Sequence, residues 1–482
     1  MLSRIRRTNP HPAVRRTRVV LWTTASAVVL GFLVALETTA RHYDLRGPLT
    51  SLGRELVLPP KSGFALYAAM ALMLVVLTRR ERLIAVGAAV AVDVGFLTVR
   101  WAVGADLTAG HPFGNGALWA MLGCAVVALT RRTGPDRTLL LKGAGLGLLL
   151  VAGRKTGDTW LLITSATRPT VLDQYVATAD HALGNPSWLV GRALTASGTV
   201  GAHALNYVYA QLAVAAVVVA LYQLRDVATE RRFPGHYIVR TFLVIGLLGP
   251  AIYMIFPVVG PIYAFGTGNE HWAFAHLWPP TPSTEPWAVA DLWPDTPTPV
   301  TTPHPMPFDT ITPRNCMPSL HTAWATAIFI HTRRGPRVLR AAGTFWLIAT
   351  LTATLGFGYH YGADLVAGVV FAITIEAGLR ALDRGWDRSA TLLVAHGTAV
   401  FAAMLLSYRY LPLEMAEYAW LAGPLLILAM VSVIVGYVRT TARWKPEPVP
   451  AAQPAQPGVE VIRQRQPHPD ENASDEAVPT AG

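Results

Sequence analysis

Apolar runs of roughly 17–25 residues, each about the length that crosses ~30 Å of hydrocarbon, recur along most of the chain between short polar stretches. They fall near residues 19–39, 62–78, 83–103, 114–130, 138–153, 199–224, 238–256, 319–332, 338–358, 361–382, 389–408 and 416–439. This pattern predicts an all-α fold: a polytopic integral membrane helical bundle of about twelve spans. The fifth run is the weakest, because Lys142 and the glycines around it interrupt it. Two long segments break the rhythm. Residues 154–198 include Leu172–Ala196, whose mixed apolar and polar pattern suits a helix lying along the interface. Residues 257–318 are rich in Pro, Trp and His and too polar to cross. Their Trp272, Trp278, Trp287 and Trp293 either anchor the segment at headgroup level or belong to a substrate lid. From about Pro446 the chain is rich in Pro, Ala, Gln and acids, which predicts a disordered cytoplasmic tail.

Composition strengthens this picture. The 482 residues are 52% hydrophobic and only 14% charged, with positive mean hydropathy, a balance foreign to soluble domains of this size. The net charge of +11 would suggest nucleic acid in a soluble protein. Here the arginines cluster between spans and are topology signals, so no nucleic-acid partner is expected. With the N-terminus in the cytoplasm, 27 of the 40 Lys and Arg fall in inner segments and 11 in outer ones. Both termini are then cytoplasmic. The basic stretch from Arg4 to Arg18 precedes no convincing cleavage site, so the first run reads as a retained span. Arg- and Ala-rich usage without organelle signals fits a bacterial plasma membrane. The expected regions are a basic N-terminus over 1–18, four spans over 19–137, a six-span core over 138–383, two spans over 384–445 and the tail over 446–482.

Two short blocks carry the chemistry. The first reads Arg314-Asn315-Cys316-Met317-Pro318-Ser319-Leu320-His321, and the second is His360-Tyr361-Gly362-Ala363-Asp364. Each opens an apolar segment, and both histidines fall at outer span ends, so the chemistry faces away from the cytoplasm. Pro318 suits a first helical turn. It would place Ser319 and His321 where free backbone N–H groups favour a bound phosphate, with Arg314 as a bidentate phosphate partner. His360 and Asp364, four apart, share a helix face, so the carboxylate can hold one ring nitrogen and leave the other aimed at substrate. An interfacial histidine or a metal half-site would explain either block alone, but not both together. Cys124 and Cys316 imply no disulfide framework, and nothing near Cys316 in sequence activates it as a nucleophile.

At these residues the chain resembles the lipid phosphate phosphatase (type-2 phosphatidic acid phosphatase) superfamily. Its Pro-Ser-Leu-His form is similar to the inositol phosphorylceramide synthase-like branch. The resemblance is strong over 314–325 and 356–369, and in span layout it extends over about 138–383. It implies that His360 attacks phosphorus and carries a phosphohistidine, that Asp364 orients it, that His321 serves as general acid and then base, and that Ser319 helps bind phosphate. It implies no metal and no cofactor.

Two departures shape the expected substrate. Phosphatase members carry an arginine six residues before the nucleophile, where this chain has Thr354. Their first motif, Lys then Arg-Pro, should fall near Phe256–Ile262, which holds no basic residue; Lys155 and Arg168-Pro169 imitate it in the wrong place. The cationic clamp is thinner, with Arg314 its leading candidate, which favours a phosphodiester donor and transfer to an alcohol. The expected activity is a lipid phosphotransferase at the outer leaflet, acting on a lipid phosphate or phosphodiester and a hydroxyl acceptor or water among membrane lipids. Hydrolysis of a lipid or polyprenyl phosphate is the alternative, and a proton-coupled transporter is third, disfavoured by the lack of a clear internal repeat. His203, Asn206 and Tyr207, in the outer half of the sixth run, are candidate acceptor contacts. Asp93 and Glu376, inside spans, are functional candidates by default unless they pair with neighbouring helices.

Overall fold

The computed structural model describes residues 12–61, 63–105, 110–265 and 296–444. The loop tryptophans between 272 and 293, the first basic residues and the tail from 446 lie outside them. Helices fill most of the described chain: α1 (Pro12–His42), α2 (Pro48–Arg54), α3 (Gly63–Leu74), α4 (Arg79–Ala102), α5 (Asn115–Thr130), α6 (Gly134–Thr167), α7 (Asp173–Asp180), α8 (Pro186–Ala196), α9 (Gly198–Ala210) and α10 (Leu212–Leu224). They continue as α11 (Val227–Glu230), α12 (Ile238–Ile255), α13 (Pro261–Phe265), α14 (Leu320–Thr332), α15 (Arg337–Gly356), α16 (Gly362–Arg384), α17 (Arg388–Tyr410), α18 (Pro412–Glu417) and α19 (Ala419–Ala442). The strands β1 (Thr170–Val171) and β2 (Met306–Pro307) pair antiparallel. This is an all-α membrane bundle.

Among the described residues, seven helical segments are long and apolar enough to cross a membrane, against twelve expected runs. Several runs yield other shapes. At 1.5 Å per residue, the 12 residues of α3 and 13 of α14 rise only about 18–20 Å, short of the hydrocarbon thickness. The sixth run is divided at Gln211 into α9 and α10. The fifth continues as the 34-residue α6, which carries Lys142, Arg154, Lys155 and Asp158 and so fails a purely apolar test. Leu172–Ala196 is not one helix on a surface: α7 and α8 are joined by a 3₁₀ turn at His181–Leu183, and Asp173, Val176 and Ala179 are fully buried.

α16 lies at the centre, with 67% of its apolar window buried, the largest share of the seven. α12, α14, α17 and α19 surround it. One apolar core joins the N-terminal helices to this bundle, with Leu66, Met73, Leu118, Met121 and Leu146 continuous with Val219, Ile238 and Ile328. The two intramembrane acids are both paired. Asp93 accepts from Gly114 N (2.9 Å), Gly116 N (2.7 Å) and the Tyr67 hydroxyl (2.6 Å), so it caps the start of α5. Glu376 accepts from Thr241 Oγ1 (2.7 Å) and Arg380 Nε (2.7 Å) and meets His236 (2.8 Å) and His331 (3.1 Å). It ties α12, α14 and α16 together where an unpaired carboxylate would be costly.

Candidate active site

Ser319 is the N-cap of α14: its Oγ accepts from Thr322 N at 3.2 Å, the bond expected of a capping hydroxyl. Pro318 therefore stands just before the cap, with its carbonyl accepting from the buried Tyr253 hydroxyl at 3.1 Å. Ser319 N donates to Asp364 O at 3.2 Å, so the two sequence blocks are bonded backbone to backbone. They approach this closely because residue 368 is glycine: a Cβ there would lie 2.6 Å from Ser319 O. Small residues permit such contacts between membrane helices, where hydrophobic attraction is weak.

The histidine rings meet across this junction. The His321 and His360 centroids are 6.4 Å apart, which leaves room for a phosphorus atom at about 3–3.5 Å from a nitrogen of each. Tyr209 lies against His321 at 4.7 Å, and Trp324 meets it edge-on at 5.8 Å. The expected acceptor contacts sit differently: Tyr207 is 68% exposed and Asn206 and His203 are not buried, so α9 presents Tyr209 to the site instead of Tyr207.

His360 is 4% exposed, in the turn between α15 and α16. Its N donates to Thr354 O at 3.1 Å and its carbonyl accepts from Ser187 Oγ. Burial pushes its pKa down to about 3, which leaves a neutral, nucleophilic imidazole at neutral pH. Asp364 Oδ2 accepts from Tyr361 N at 2.8 Å and from Cys316 Sγ at 2.6 Å. It stands 3.5 Å from His360 Nδ1, outside normal N–H···O range, whereas Cys316 Sγ lies 3.3 Å from that nitrogen. The expected direct His–Asp bond is thus replaced by a thiol that touches both. Burial, with the Asp364 carboxylate adding to it, raises the Cys316 pKa, so the group is a thiol and not a thiolate nucleophile.

The surrounding loops are fixed by two buried acids that sequence reasoning missed. Asp173 accepts from Val259 N (3.0 Å), Gly260 N (2.8 Å) and the Tyr361 hydroxyl (2.9 Å). Asp180 Oδ1 accepts from Ala363 N at 2.8 Å. Seven residues apart, they share one helical face, which was a legible signal. Gly260 has φ +107°, and a Cβ there would lie 2.4 Å from Tyr359 O. The segment at 256–262, devoid of cations, therefore supports the site through its backbone: Val258 O accepts from Cys316 N at 3.1 Å.

The candidate cations are turned elsewhere. Arg314 is fully buried, and its guanidinium donates to the carbonyls of Arg168 (2.9 Å from Nη2), Thr312 and Asp309. In this arrangement it braces the loop, where the sequence suggested a phosphate partner. Lys155 pairs with Glu55. Thr354, where the arginine was expected, bonds back to Thr350 O at 2.9 Å. Ser319 spends its lone pair on the cap but keeps a hydroxyl proton to donate.

Residues 174–377 match the family model described as the PAP2 superfamily. This match supports the phosphatidic acid phosphatase superfamily. Both histidine blocks, Asp180, Ser187 and Tyr209 lie inside the matched stretch, and Asp173 stands one residue before it. Residues 20–163 match a second model, described as a domain of unknown function (DUF5933). No curated protein and no solved structure matches the chain. Similarity of this stretch to the PAP2 superfamily supports phosphatase or phosphotransferase activity on lipid phosphates in the membrane.

Proposed function

We propose that the protein is a lipid phosphotransferase at the extracytoplasmic face of a bacterial plasma membrane, similar in action to inositol phosphorylceramide synthases. The observation that carries this reading is the facing pair of His321 and His360, with His360 neutral and backed by Asp364. The anionic phosphate between the rings favours the protonated form of His321. His360 Nε2 attacks phosphorus as the P–O bond to the lipid breaks, and the His321 imidazolium gives its proton to the departing oxygen. His321 then takes the proton of an acceptor hydroxyl, whose oxygen displaces the histidine. Ser319, at the N-terminus of α14, donates to a phosphate oxygen.

Transfer is favoured over hydrolysis by the charge of the site. Arg314 and Lys155 are engaged with carbonyls and Glu55, and Thr354 supplies no charge. Such a site suits a phosphodiester, with one negative charge, better than a monoester with nearly two. The phosphatase reading survives if water is the acceptor. Full-length protein in detergent, given short-chain lipid phosphates and phosphodiesters with and without polyols, decides between them. A phosphorylated polyol that disappears in His321→Ala and His360→Ala supports transfer; free phosphate released regardless of polyol makes the protein a phosphatase.

A further inference from the structure

The geometry points to Cys316 as a positioning residue whose thiol relays the Asp364 carboxylate to the nucleophile. This rests on the reading of His360 as the attacking group. The Sγ–H donates to Asp364 Oδ2 at 2.6 Å, while His360 Nδ1 lies 3.3 Å from the sulfur. The Tyr359 carbonyl, also 3.3 Å from Sγ, is the weaker acceptor because it carries no charge. Oδ2 is already filled by Tyr361 N and the thiol, and it stands 3.5 Å from the ring. Oδ1 is buried and, among the described residues, makes no hydrogen bond. Sulfur, larger than oxygen, is in hydrogen-bonding contact with Nδ1 at a distance where the carboxylate is not. The chain of partners is Nδ1–H to sulfur, then S–H to Oδ2.

The relay keeps Nδ1 protonated, so the lone pair lies on Nε2. When Nε2 bonds to phosphorus and the P–O bond breaks, the ring becomes cationic. Nδ1 keeps its proton, and the leaving oxygen takes its proton from His321. The positive charge at Nδ1 then faces a polarised thiol that ends on a carboxylate. No proton crosses the relay, and Cys316 forms no bond to substrate.

The chain has only one other cysteine, Cys124 in α5, so full-length Cys124→Ser protein shows the Cys316 thiol alone. Its infrared S–H stretch should lie at the low frequency of a thiol bonded to a strong acceptor and move towards the unbonded position in Asp364→Asn. A band already at the unbonded position overturns the relay, whatever the activity. With dioctanoyl phosphatidylinositol, a phosphodiester, as probe donor and a polyol as acceptor, Cys316→Ala should lower kcat about 10–100-fold, the scale of partners that orient ligating histidines. KM should barely change, and Cys316→Ser should recover part of the loss. An unchanged kcat in Cys316→Ala also overturns the relay. Full activity in His360→Ala would instead sink the nucleophile assignment, and the infrared result would stand apart from it.

Discussion

At the scale of single residues, His360 and His321 could be found by eye, because each stands beside a partner at diagnostic spacing. Their companions could not. Cys316 reads as an inert buried cysteine until the fold brings it to Asp364, 48 residues away. Tyr209 and Tyr207 are indistinguishable in sequence, yet two residues turn a helix by about 200°, and only one ring reaches His321. If His360 is the nucleophile we propose, His360→Ala should cut turnover by roughly a thousandfold or more, with an unaltered elution profile from size exclusion. Tyr209→Ala should lower kcat/KM about tenfold, near the upper energy of an aromatic contact, while Tyr207→Ala stays near wild type. Equal effects of the two would contradict the orientation of α9.

Element scale is where hydropathy reads well and geometry reads poorly. It found the apolar runs, but not that α14 is short, that the sixth run is divided at Gln211, or that α7 is buried. The burial of α7 depends on polar bonds to distant partners. Gly368→Ala tests the packing of α16 on the α14 cap: the added methyl should cost about 1–3 kcal/mol, seen as a lower melting temperature in detergent. An unchanged melting temperature would mean the helices can separate freely. The acids of α7 make a pH prediction. Burial raises the pKa values of Asp173 and Asp180 to about 7, against the pull of their N–H donors. A carboxyl with a raised folded pKa adds stability that is complete below its unfolded value of 3.8 and is lost as pH rises through about 7. Melting temperature should therefore fall between about pH 4 and 7 and level off above, and Asp180→Asn should flatten the fall; identical curves would refute the assignment.

At the scale of the whole molecule, the described residues from 12 to 443 belong to one compact unit, in which one apolar core runs from Leu66 to Ile328 and Lys155 of α6 pairs with Glu55. Sequence placed a boundary near residue 137, at a polar turn, but could not show that the two sides share a core. Removing one charge of a buried pair strands the other, at a cost of about 3–5 kcal/mol. Glu55→Ala should thus destabilise the solubilised protein strongly, and Glu55→Ala with Lys155→Met should restore much of the loss; failure of that rescue would show the pair is not coupled. The bonds from α7 have a consequence for biosynthesis. Asp173 and Asp180 meet Tyr361 and Ala363 across 188 and 183 residues of chain. A ribosome synthesising from the N-terminus delivers both acids long before their donors exist. The two histidine blocks can therefore be locked to α7 only once residue 364 has been made, with α17–α19 still to follow.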